Sequence, residues 1–84
     1  MWRTLYVFDE SRYLEALRIV AETPNVILHD SFWNVDLLGY KIEIECRSEQ
    51  ALKTLKIYIS NTEKGWEGLW MEDETDKNSL QNPR

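Results

Sequence analysis

His29 and Asp30 stand side by side and are the one pairing in this 84-residue chain that hints at acid–base chemistry. That chemistry needs the imidazole and the carboxylate to meet, so that one orients the other. The residues around them, Val26-Ile27-Leu28 before and Phe32-Trp33 after, are β-prone, and neighbours on a strand point to opposite faces. His29 therefore reads as an ordinary strand-face histidine. Cys46, the single cysteine, would be a nucleophile only with a base beside it and an acidifying environment. It closes an alternating run on the apolar side, where a buried and unreactive thiol is expected.

Metal and phosphate chemistry fare no better. With one Cys and one His, a zinc site would need at least two carboxylates, and no spacing supplies them, so no metal is expected. Gly39, Gly65 and Gly68 form neither a GxGxxG nor a Walker-type pattern, and none is placed between a strand and a helix. No cofactor is expected either. Catalysis needs convergent polar groups, and these residues assemble none, which predicts a protein that is not an enzyme.

Charge narrows the choice of partner. Ten basic residues against 15 acidic ones give a net charge of −5, and the basic residues are scattered singly among Asp and Glu. A nucleic-acid binder concentrates Lys and Arg on one face to release counterions, so nucleic acid is excluded as an expected ligand. No apolar run approaches the roughly 18 residues of a membrane helix, and the apolar start Met1 to Phe8 is too short for a secretion signal. A single cysteine rules out an internal disulfide framework. Together these predict an unprocessed cytoplasmic protein.

Periodicity gives the scaffold on which these side chains are held. Thr4 to Phe8 has no polar break and reads as a central strand covered on both faces. Asp9, Glu10 and Ser11 offer capping oxygens ahead of Leu14, Leu17 and Val20 or Ala21, which lie at helical spacing, with Tyr13 and Ala16 widening the stripe. On that phase Arg12, Glu15, Arg18 and Glu22 face water, and Thr23-Pro24-Asn25 stops the helix.

A second strand runs from Val26 and frays near Phe32. Asn34 to Gly39 connects it to Tyr40-Lys41-Ile42-Glu43-Ile44-Glu45-Cys46, with Gly39 free to take a positive φ. The alternation in that last run is faultless: Tyr40, Ile42, Ile44 and Cys46 are buried, and Lys41, Glu43 and Glu45 are wet. Ser48 caps a second helix whose core stripe is Ala51, Leu52, Leu55, Tyr58 and Ile59, and Asn61 closes it in a left-handed conformation. Gly65 to Met71 forms a short last strand, with Trp66 and Trp70 on one face and Leu69 and Met71 on the other.

The order strand, helix, strand, strand, helix, strand with right-handed crossovers places both helices on one sheet face. The expected fold is thus an α+β, split-βαβ (ferredoxin-like) two-layer sandwich on a three- to four-stranded antiparallel sheet. Residues 1–71 form the domain, and residues 72–84, acidic and without apolar periodicity, form a disordered tail.

Function is then read from surfaces. Four Trp and four Tyr exceed what so small a core buries, so Trp33, Trp66 or Trp70 reaches the surface. Such rings either cover the open sheet face, within one chain or across a homodimer, or anchor a protein partner. The expectation is a small protein-binding module, of the inhibitor, immunity or accessory-subunit kind. Its candidate binding residues are Trp66 and Trp70 with Glu72, Asp73 and Glu74, which would steer a partner with a basic surface. The alternative is a dimeric module of the same fold that senses a small molecule.

Overall fold

The computed structural model describes residues 1–72, and residues 73–84 lie outside it. Strand β1 spans Trp2–Val7, α1 spans Tyr13–Glu22, β2 spans Val26–Asn34, β3 spans Gly39–Cys46, α2 spans Glu49–Ser60 and β4 spans Leu69–Glu72. A short turn of 3-10 helix, Glu10–Arg12, precedes α1. The sheet order is β2-β3-β1-β4 with every neighbouring pair antiparallel. Both helices lie on one face, as the split-βαβ sandwich requires.

One core joins the two layers. Leu5 and Val7 of β1, Ile42, Ile44 and Cys46 of β3, and Leu69 and Met71 of β4 meet Ala16, Ile19 and Val20 of α1 and Ala51, Leu55 and Ile59 of α2. The alternation in β3 is borne out, with Tyr40 half-buried at the start of its inward face. So is the Ser48 cap, whose Oγ accepts from the Ala51 amide at 3.1 Å. Tyr58 is the exception in the α2 stripe, being exposed.

Several expectations are corrected. β1 is central, but only one face is covered: Arg3, Leu5 and Val7 point to the helices, while Trp2 and Phe8 are exposed on the other side. The run looked apolar throughout because its outward residues are aromatic. In α1, Leu14 is 77% exposed and Ile19 belongs to the core. Leu14 stands two positions, about 200°, from the buried Ala16 and so points away from the sheet.

Arg12, expected in water, is 2% exposed. It sits in the turn of 3-10 helix whose Asp9 cap accepts from the Ser11 amide at 3.0 Å, and this turn sets the phase of α1.

β2 does not fray at Phe32 but pairs with β3 as far as Asn34, opposite Gly39. A β-bulge at His29 accommodates one extra residue between the Leu28–Ile44 and Asp30–Glu43 pairs. Gly39 lies in β3 rather than in a left-handed turn. Its hydrogen is required because a Cβ there would sit 2.7 Å from the Val7 carbonyl oxygen and 3.4 Å from the Phe8 ring. The positive φ of that hairpin falls on Leu38, at 54°. Asn61 closes α2 with an ordinary right-handed φ of −87°.

The last strand is shorter than expected and begins at Leu69, after turns through residues 61–68. Glu72 belongs to it, one residue past the expected domain boundary. The rest of the 72–84 tail read as disordered, residues 73–84, lies outside the described residues.

Candidate functional site

The helices leave one sheet face open, and strand register arranges its side chains in rows, because directly paired residues share a face. Phe32 of β2, Lys41 of β3, Tyr6 of β1 and Trp70 of β4 pair in sequence and form an aromatic row. One step along the strands, Asp30, Glu43, Thr4 and Glu72 form a second row with three carboxylates. Beyond it Ile27, Glu45 and Trp2 form a third.

Within the aromatic row the rings of Trp70 and Tyr6 are in contact. Trp70, 53% exposed, lies with its ring centroid 5.2 Å from that of Tyr6 at an interplanar angle of 31°. Phe8 stands beside the row, two residues on from Tyr6, its ring stacked on that of Tyr6 at 6.1 Å and 9°. The Lys41 ammonium sits over the Tyr6 ring, 5.7 Å from its centroid. The Tyr6 hydroxyl donates to Glu72 Oε1 at 2.9 Å, which ties the aromatic row to the carboxylate row. Burial, this hydrogen bond and the charges of Glu72 and Glu43 all push the Tyr6 phenol above its usual pKa.

At the other end of the face the His29 bulge is put to use. The imidazole lies against Trp2, 4.3 Å between centroids and tilted by 36°, and bonds Glu45 Oε1 from Nε2 at 3.0 Å. That bond holds the Glu45 carboxyl below its usual range. The bulge turns His29 and Asp30 to the same open face, against the expectation of opposite faces, and His29 Nε2 takes Glu45 as its partner, so the two form no dyad. Asp30 and Glu43 face each other as like charges, an arrangement that costs stability in a sheet.

Elsewhere the chemistry is structural. Cys46 is fully buried, and burial raises its thiol pKa, as expected of an unreactive cysteine. Among the described residues no group of three or more His, Cys, Asp or Glu side chains is placed to hold a metal. A cleft of about 330 Å3 is lined by Ser11, Arg12, Glu15, Glu63 and Lys64. Its Arg12 is engaged by Gly65, Glu67, Thr62 and Glu15, and its remaining ionic residues mix both signs, so it favours no ligand charge.

The residues proposed from sequence are dispersed. Trp70 and Glu72 lie on the open face in adjacent rows. Trp66 does not join them: it precedes β4, packs against the core, and donates from Nε1 to Ser60 Oγ at 3.1 Å. Asp73 and Glu74 lie outside the described residues. Trp33 reaches the surface on the helix side, edge-on to Tyr40. Sequence reasoning missed Trp2, Tyr6, Phe8 and Glu43 as members of one surface. The signal was present in β1, where aromatic residues and Thr4 alternate with Arg3, Leu5 and Val7.

Among the described residues no helix is long and apolar enough to cross a membrane. Comparison with family models, with curated proteins and with solved structures found no match to this chain.

Proposed function

We propose that this chain is a protein-binding module without catalytic chemistry of its own, and that it takes a partner with a basic surface on the open face of its sheet. The observation that carries this reading is the juxtaposition of the exposed aromatic row with the carboxylate row beside it. Exposed rings on a strand supply large contact area at little rotamer cost. The carboxylates steer a cationic partner and set the register of docking.

A second copy of the chain is a poorer occupant. Two-fold packing of this face on itself brings together two surfaces of net negative charge, each with Asp30, Glu43, Glu45 and Glu72 against Lys41. Nucleic acid is repelled for the same reason. A cytoplasmic setting suits the free, buried Cys46.

The test is capture by the immobilised full chain from native lysate, comparing wild type with a Trp70→Ala variant shown to be folded by its thermal melt. Retained proteins should be basic, should elute in 1 M salt, where the Debye length falls to about 3 Å, and should be lost from the variant. Equal retention by wild type and variant, or retention indifferent to salt, would remove the open face from the interface.

A further inference from the structure

The open face carries more detail than a general preference for basic surfaces. Resting on the reading above, we infer that the group it selects is arginine, presented by a segment of the partner, with the guanidinium laid on the Tyr6–Trp70 rings and donating to the carboxylate row alongside.

Three observations lead there. The Phe8 ring stacks on that of Tyr6 within 9° and the Trp70 ring is tilted from it by 31°, so these rings form an open array along the sheet instead of a closed cage. A planar cation suits such a shelf, whereas a compact ammonium suits a cage.

Second, the shelf already holds a cation. The Lys41 ammonium lies over Tyr6, so the local field favours positive charge there. Among the described residues, Lys41 is the single Lys or Arg in these rows, against the carboxylates of Asp30, Glu43, Glu45 and Glu72.

Third, the carboxylate row lies two residues along each strand from the aromatic row, about 7 Å away. An arginine whose guanidinium rests on Tyr6 or Trp70 can turn its remaining N–H groups toward Glu43, which faces Asp30 across the strand pair. The same contact would relieve the repulsion between those two carboxylates.

The resident Lys41 makes this testable in an unusual direction. If an incoming guanidinium takes the place of the ammonium, removing that ammonium improves binding. The experiment is an NMR titration of the full-length, isotopically labelled chain with three short peptides that differ only in carrying arginine, lysine or citrulline. A Lys41→Met variant, which keeps the aliphatic stem over Tyr6, is titrated beside the wild type.

We expect the arginine peptide to shift the Trp70 indole and the amides of Tyr6 and Glu43, and to bind at least about threefold more tightly than the lysine peptide. The citrulline peptide should leave them unmoved. Lys41→Met should tighten arginine binding by about three- to tenfold.

Equal affinity for arginine and lysine on this face would overturn the arginine inference and leave the basic-partner reading standing. So would binding by citrulline as strong as by arginine, or Lys41→Met binding arginine no better than wild type. Shifts confined to other surfaces, or arising from self-association of the chain, would overturn both.

Discussion

The Arg12 guanidinium donates to the Gly65 carbonyl at 2.6 Å, across 53 residues of sequence. The same group reaches the Glu67 carbonyl at 2.7 Å, the Thr62 hydroxyl at 3.1 Å and, by two of its nitrogens, Glu15 Oε1 at 2.8 and 3.0 Å. A buried charge is tolerated because each of its five N–H donors is matched. The turns between α2 and β4 are held by this fork together with Trp66, which packs against the core, and the Gly68 carbonyl, which accepts from the Phe8 amide at 2.8 Å.

Arg12→Ala is therefore expected to cost about 2–4 kcal/mol, since it leaves part-buried carbonyls without donors as well as removing the fork. Arg12→Lys should recover only part of that, because an ammonium cannot reproduce the planar geometry. Urea denaturation of both variants is the measurement. A loss below about 0.5 kcal/mol in Arg12→Ala would show that the loop is held by other contacts.

The two faces of β3 predict opposite outcomes for adjacent residues. Ile44 is fully buried, and Ile44→Ala should cost about 2–5 kcal/mol. Glu43 faces Asp30, so Glu43→Gln should be neutral or stabilising by up to about 0.5 kcal/mol, with the gain fading as salt is added. Equal destabilisation by the two substitutions would mean that the strand is out of register.

Leu38 is 69% exposed and holds a left-handed φ of 54°. A leucine there carries steric cost with no burial to offset it, whereas asparagine adopts this conformation readily. Leu38→Asn should raise the melting temperature, corresponding to about 0.5–1 kcal/mol. A fall in melting temperature would indicate that the exposed leucine makes a contact worth more than its strain.

Stability should respond to pH at both ends of the scale. The Tyr6 phenol is raised above its ordinary 10.0, so its contribution is complete below pH 10 and is lost as pH climbs through the folded value. Tyr6→Phe should remove that alkaline component and leave the acid transition where it is. The Glu45 carboxyl is lowered from 4.5 by the hydrogen bond from His29, so its contribution is present above that value and is lost as pH falls through the folded one. His29→Gln should flatten the acid limb. Denaturation midpoints followed across pH check both signs, and an unchanged limb in either variant would disprove the assignment.

Why some of this was legible from sequence and some was not has a physical answer. β3 could be read because one of its faces is aliphatic and the other charged, which is the pattern periodicity detects. β1 misled because Trp2, Tyr6 and Phe8 count as apolar wherever they point, so an open face looked like a covered one. In α1 the expected Tyr13, Ala16, Leu17 and Val20 do line the core, and the misplaced positions are Leu14, Ile19 and Arg12, because the first buried side chain of that segment is an arginine, which polarity alone assigns to water. The split-βαβ arrangement followed from element order alone. The rows of the open face did not, because they depend on which residues pair across four strands, and pairing register is a property of the fold rather than of any one segment.

The bulge at His29 also governs how β2 tolerates a change in its length. Upstream of it Leu28 shares the side of Ile44, and downstream Ser31 shares the side of Ile42, although an even-stepped strand would have reversed that second half. Asp30 and Phe32 thus reach the open face only because one residue is supernumerary. A chain shortened by His29 alone keeps every remaining β2–β3 partnership in frame. A deletion farther along the strand that leaves the bulge in place throws one flank out of step and turns its side chains to the opposite face.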